Sequence, residues 1–129
     1  RLRATSGGNI LIGTTTDDAV DKLQVSGSAK IDGGMIFKRT AASTTYTVLV
    51  SDYIIALTGA GDYTVTLPAA SAANIGKVFV FKKELANANT ITIAAAGADT
   101  IDGAASTTLS SAWESKTIYC GTSTGWFVV

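Results

Sequence analysis

The sequence predicts an all-β protein in two parts: a short fibrous β stem over residues 1–44 and an antiparallel β-sandwich or barrel-like head over residues 45–129. Three observations carry that expectation. Thr, Val, Ile and Tyr, which fit a pleated half-buried surface, recur in short runs bounded by Gly, Asp and Ser. Within most runs apolar and polar residues alternate, the period of a half-buried strand. The density of large side chains rises sharply at about Thr45, which separates the two parts.

In the first part, Gly8-Asn9-Ile10-Leu11-Ile12-Gly13 and Lys22-Leu23-Gln24-Val25-Ser26-Gly27 each read as a very short strand closed by glycine. Ile10 and Ile12 point one way and Leu11 the other; Leu23 and Val25 share a face, as do Ala29 and Ile31. Thr14–Asp18 and Asp32-Gly33-Gly34 are turn-like, and Asp17–Leu23 has too few apolar residues for an independent helix. An isolated two-stranded unit is marginal in water. Copies of the same chain are therefore expected to supply the missing core, with Ile10, Ile12, Leu23 and Val25 at the interface between them.

In the second part, Tyr46–Val50 and Tyr53–Leu57 come first, and the turn Thr58–Asp62 leads into Tyr63–Leu67. Tyr63, Val65 and Leu67 point inward and the threonines outward. Pro68 ends that strand, because proline cannot donate to a ladder. Ala69–Ile75 is expected to hold one short helical turn, stopped by Gly76. Val78–Phe81 is continuously apolar between lysines, the pattern of a central strand covered on both faces. Asn89–Ile93 alternates again, a Gly/Asp/Ala loop carries Thr100 and Ile101, and Thr107–Leu109, Lys116–Cys120 and Gly125–Val129 complete the set. Tight connections between such strands imply antiparallel pairing.

Composition narrows the function. The 129 residues suffice for one ordinary domain, and 47% hydrophobic content excludes a disordered chain. Ten basic residues balance ten acidic ones, so no field attracts a polyanion, and neither nucleic acid nor membrane insertion is expected. No apolar run approaches the length of a bilayer span. The chain begins at Arg1, the expectation for a segment of a longer polypeptide.

Gly8-Asn9-Ile10-Leu11-Ile12-Gly13-Thr14 followed by Lys22-Leu23-Gln24-Val25-Ser26-Gly27 resembles the shaft-to-head junction of trimeric bacteriophage tail fibres. The second part is similar to a module near the tips of such fibres. Its matching positions are Ser51-Asp52-Tyr53-Ile54, Thr66-Leu67-Pro68-Ala69-Ala70, Asn74-Ile75-Gly76-Lys77, Thr90–Ile93, Thr100–Gly103 and Gly125–Val128. The resemblance implies an intertwined homotrimer in the virion, outside the cell, joined upstream to the rest of a fibre. It implies a receptor on a bacterial surface, a glycan or a protein, and no catalytic residues. Ala112-Trp113-Glu114 departs from the pattern, since such modules usually carry a small or polar residue there. A bacterial extracellular trimeric adhesin is the alternative, on the same small-residue composition.

Chemistry is sparse. With no histidine, the commonest general base and metal ligand are missing. No cofactor or metal is expected. Cys120 lies in an apolar strand and reads as a buried structural cysteine. Glycan hydrolysis needs two facing carboxylates, whereas Asp52, Asp62, Asp99 and Asp102 adjoin turns, where a carboxylate bonds nearby backbone N–H groups. Asp99–Gly103 lacks the ligand pattern of a calcium loop, and Gly59-Ala60-Gly61 reads as a hairpin turn. Trp113, among Ser110, Ser111, Glu114 and Ser115, is either folded under its loop or presented to a partner. If presented, its ring suits a sugar face, with Glu114 and Ser115 bonding hydroxyls.

Overall fold

The computed structural model describes residues 1–129 and contains thirteen strands and one 3₁₀ turn. They fall into two compact units, Arg1–Ile36 and Phe37–Val129. Residues 37–44, expected with the first part, pair instead with the second.

The first unit is one small sheet: β1 (Leu2–Ala4), β2 (Ile10–Ile12) and β3 (Leu23–Val25), in that order. β1 was not anticipated from sequence. It runs antiparallel to β2, with Leu2 opposite Ile12, and β3 runs parallel to β2, with Ile10 opposite Leu23 and Ile12 opposite Val25. Leu11 is fully buried on one face. That face is closed by polar side chains: Asn9 donates to Asp17 Oδ1 at 2.9 Å, and Gln24 donates to Asp17 at 3.0 Å and Asp18 at 2.7 Å. The Asn9 and Ala19 N–H donors hold the Asp17 carboxyl below its usual range. Residues 17–21 form no helix; Asp18 Oδ1 instead accepts from the Val20 and Asp21 N–H groups. The opposite face carries Leu2, Ile10, Ile12, Leu23 and Val25, all exposed.

The second unit has two sheets. The strands are β4 (Arg39–Ala42), β5 (Tyr46–Thr47), β6 (Ile54–Leu57), β7 (Tyr63–Thr66), β8 (Val78–Lys83), β9 (Ile91–Ala94), β10 (Thr100–Ile101), β11 (Ser106–Leu109), β12 (Ser115–Thr122) and β13 (Gly125–Val128). Six form one sheet, in the order β10-β13-β12-β8-β6-β4, and four form the other, β11-β9-β7-β5. Both sheets are mixed, which corrects the expected antiparallel arrangement. β4, β6 and β8 are parallel to one another, as are β5, β7 and β9, whereas β11 pairs antiparallel with β9, β12 with β8 and β13 with β12, and β10 pairs parallel with β13. From β4 to β9 successive strands alternate between the sheets. Each parallel crossover is thus made by a strand of the other sheet, not by a helix. For the same reason Gly59-Ala60-Gly61 is a corner between sheets and not a hairpin.

The core lies between the sheets and centres on Phe79, Phe81, Trp126, Ile55, Leu57, Val65, Ile91, Ile93 and Ile118. Phe79 packs against Trp126 with ring centroids 5.5 Å apart and planes tilted by 34°, and meets Phe81 edge-on at 6.5 Å. β8 is central, but its two-faced burial is corrected: Phe79 and Phe81 are buried, while Val78 and Val80 are half-buried on the outer face. Lys83 continues the inward alternation and is itself buried. Phe127 lies half-buried on the outer face beside Tyr119, ring centroids 5.6 Å apart. A side chain at Gly121 would collide with the Phe127 ring. Cys120 is fully buried. The 3₁₀ turn spans Ala72–Asn74, as the sequence indicated.

Asp52 ties the β4–β6 edge together. It is fully buried and accepts from Thr40 Oγ1 (2.8 Å), the Tyr46 hydroxyl (2.7 Å), the Leu49 N–H (2.9 Å) and Lys38 Nζ (2.8 Å). Burial alone would raise its pKa. The four donors outweigh that and hold the carboxyl well below the usual range, with Lys38 the largest of them. Burial, reinforced by Asp52, pushes the Tyr46 hydroxyl up to about 12.

Candidate functional site

Strand directions gather three connections at one end of the second unit. β6 and β8 end there, at Leu57 and Lys83; β7 and β9 begin there, at Tyr63 and Ile91; β11 ends and β12 begins there. The connections 58–62, 84–90 and 110–114 therefore meet at this end. Hydrogen bonds join them. Asn89 Nδ2 donates to the Gly59 carbonyl at 3.2 Å, and the Thr90 N–H to Asp62 Oδ1 at 2.7 Å. The buried Lys83 ammonium donates to the Asn87 carbonyl at 3.2 Å and the Asn89 carbonyl at 2.6 Å. It pins the 84–90 loop from inside, satisfying a cation that has no carboxylate partner. The Lys83 N–H donates to the Glu114 carbonyl at 2.9 Å, and Lys82 Nζ to the Trp113 carbonyl.

Trp113 stands at the tip of the 110–114 connection. The residue is 55% exposed, so the loop presents it and does not cover it. Its φ of 60° is left-handed, a strained setting for a bulky residue that persists only where the surroundings enforce it. Glu114 does the enforcing. Its Oε2 accepts from the Ser110 N–H at 2.7 Å and the Ser111 N–H at 2.9 Å, which hold its carboxyl below the usual range, the Ser111 donor most. Glu114 was expected to bond a ligand; one of its oxygens is already committed to the turn. Ser115 is exposed and opens β12, opposite Lys82.

A cleft of about 250 Å³ at the same end of the unit is lined by Asp62, Tyr63, Thr64, Thr90 and Thr92. It sits on the outer face of the four-stranded sheet, where Thr64 is opposite Thr92 and Thr92 opposite Thr108. Sequence reading placed Thr64 outward but gave none of these threonines a role. What concentrates them is register between strands, which a single sequence does not display. Tyr63 turns inward, its hydroxyl donating to the Ala42 carbonyl at 2.7 Å. A Cβ at Gly59 would strike that ring and the Ser43 carbonyl, so the corner admits only glycine.

The carboxylates of this unit are committed to structure. Asp62, Asp99 and Asp102 accept from the N–H groups of Thr90, Ala70 and Val128, and Glu84 pairs with Arg39. Those three N–H groups belong to distant strands or connections, not to the local turns the sequence suggested. No three Cys, Asp or Glu side chains converge as a metal site would require. No helix is long and apolar enough to cross a membrane. In the first unit, Ile10, Ile12, Leu23 and Val25 share one exposed face of the sheet. Comparison of the chain with protein families, with curated proteins and with solved structures finds no match.

Proposed function

We propose that this chain is a non-enzymatic module of a bacteriophage tail fibre, assembled as a homotrimer, that attaches the virion to a bacterial surface receptor. The sequence resemblance over residues 8–31 and most of 45–129 supports the fibre assignment. The observation that carries the trimer is the bare face of the first sheet. Leu2, Ile12 and Val25 form one row across its strands and Ala4, Ile10 and Leu23 the next. Leu2 and Leu23 are 71% and 60% exposed. Fully burying one such side chain stabilises by about 1.5–3 kcal/mol, and copies of the chain provide matching surface for it.

Attachment is assigned to the loop end of the second unit. Trp113 there presents an aromatic face held in a strained conformation, which suits stacking on a sugar ring. Three copies make simultaneous weak contacts and raise avidity without new chemistry. The absence of a facing pair of uncommitted carboxylates supports binding over hydrolysis. Adsorption of the purified protein to bacterial cells tests the reading. Trp113→Ala is expected to keep its fold and adsorb less. A variant that adsorbs like the parent would move the receptor site elsewhere.

A further inference from the structure

We propose that the Asp62–Thr64–Thr90–Thr92 cleft is a subsite for one neutral pyranose ring of a surface polysaccharide. The inference rests on the attachment reading above and names the ligand class of its loop end. Thr64 is opposite Thr92, and Asp62 lies beside Thr90 one position before Tyr63 and Ile91. Neighbouring strands are ~4.8 Å apart and alternate residues ~6.8 Å apart along a strand. Thr64 and Thr92 thus stand side by side across the ladder, and Thr90 with Asp62, whose Oδ1 accepts from the Thr90 N–H, closes the end of a frame on the scale of a sugar ring.

The lining selects the ligand. Threonine hydroxyls both donate and accept, the pairing that a polyhydroxylated ring needs. Their χ1 angles are restricted by branching, so little side-chain entropy is lost when they are engaged. No lysine or arginine lines the cleft, and Asp62 brings a negative charge to its rim, which disfavours phosphates and acidic sugars. One carboxylate alone does not make a divalent-cation site. The cleft has no large exposed apolar wall for a lipid or a hydrophobic peptide. Its volume, about 250 Å³, is below the roughly 300–1,000 Å³ of pockets for drug-sized molecules and fits a single ring.

Register also supplies the continuation. β11 runs antiparallel to β9 and ends with Leu109 opposite Ile91, so the Ser110–Glu114 turn leaves the sheet next to Thr90. A glycan with one ring in the cleft passes its next ring toward that turn, where Trp113 is exposed.

The test is an NMR amide-shift titration of the whole chain with the methyl α-glycosides of glucose, galactose and mannose, and with glucuronate as the charged counterpart. At least one neutral glycoside is expected to shift the amides of Thr64, Thr90 and Thr92 saturably, with glucuronate weaker by tenfold or more. Thr64→Val and Thr92→Val, near-isosteric surface changes, are each expected to weaken binding about three- to tenfold, the worth of one hydrogen bond, at unchanged melting temperature. Asp62→Asn, which keeps the acceptor for Thr90, is expected to narrow the gap to glucuronate. Equal binding of neutral and acidic sugars, shifts confined to Ser110–Ser115, or no shift with any glycoside overturns the cleft assignment. Adsorption to cells is measured on the same samples. A chain that adsorbs but binds no glycoside loses only the cleft, whereas one that adsorbs to no cell loses the attachment reading as well.

Discussion

The two units solve the same problem, an all-β chain of small residues, in opposite ways. The second encloses a core of sixteen buried residues between two sheets, with Phe79, Phe81 and Trp126 at its centre. The first buries one large side chain, Leu11, beneath a lattice of Asn9, Asp17, Asp18 and Gln24, and leaves its other apolar side chains bare. A three-stranded sheet needs a covered hydrophobic face for independent stability. The contrast teaches that hydrophobic content does not decide whether a segment stands alone; what decides is whether the chain supplies a second layer.

The largest expected effect falls on the enclosed core. Phe79→Ala or Phe81→Ala is expected to cost about 3–5 kcal/mol in chemical denaturation, the toll of deleting a buried ring. A loss under about 1 kcal/mol for both, as for ordinary surface changes, would place the core elsewhere.

Next is the buried hub of the same unit. Asp52→Ala is expected to cost about 3 kcal/mol, because it strands the Tyr46 hydroxyl and the Leu49 N–H. The pH dependence has a fixed sign. The folded carboxyl is held below its unfolded value of about 3.9, so its stabilisation is complete above that value and drains as pH falls toward the folded one. Melting temperatures from pH 6 to pH 2 should fall steeply for the parent and less so for Asp52→Asn. Parallel curves would contradict the role given to Asp52.

These expectations rest on parts of the fold that were unequally legible. Strand positions were readable because alternation is local: Tyr63, Val65 and Leu67 announce their inward face without reference to any partner. Pairing was not, since Ile54–Leu57 gives no sign that its neighbour is Val78–Lys83 and not the nearer Tyr63–Thr66. Alternation also overrode residue type, carrying Lys83 inside and leaving Val78 and Val80 on the outer face. At the candidate site, Trp113 stood out by composition. The cleft did not, because its threonines share strands with ordinary sheet residues and converge only through register.

On the first unit the effect should appear in assembly, with little change in the second unit. Ile12→Asp together with Leu23→Asp puts charge on the bare face and is expected to dissociate the proposed trimer. The near-ultraviolet circular dichroism of the second unit, which contains both tryptophans, should be retained. Loss of that signal would mean that the second unit depends on assembly for its packing.

The smallest expected effect on stability is at Trp113. Because the residue is 55% exposed, Trp113→Ala should change stability by less than about 0.5 kcal/mol, the range of surface substitutions. A larger loss would show that the buried part of the ring holds the turn together.

Light scattering of the purified chain at micromolar concentration tests the central claim most directly, that copies of this chain cover the sheet of Leu2, Ile10, Ile12, Leu23 and Val25. The predicted mass is about 40 kDa, three times the 13.2 kDa of one chain. A mass of 13.2 kDa that persists as concentration rises would contradict it.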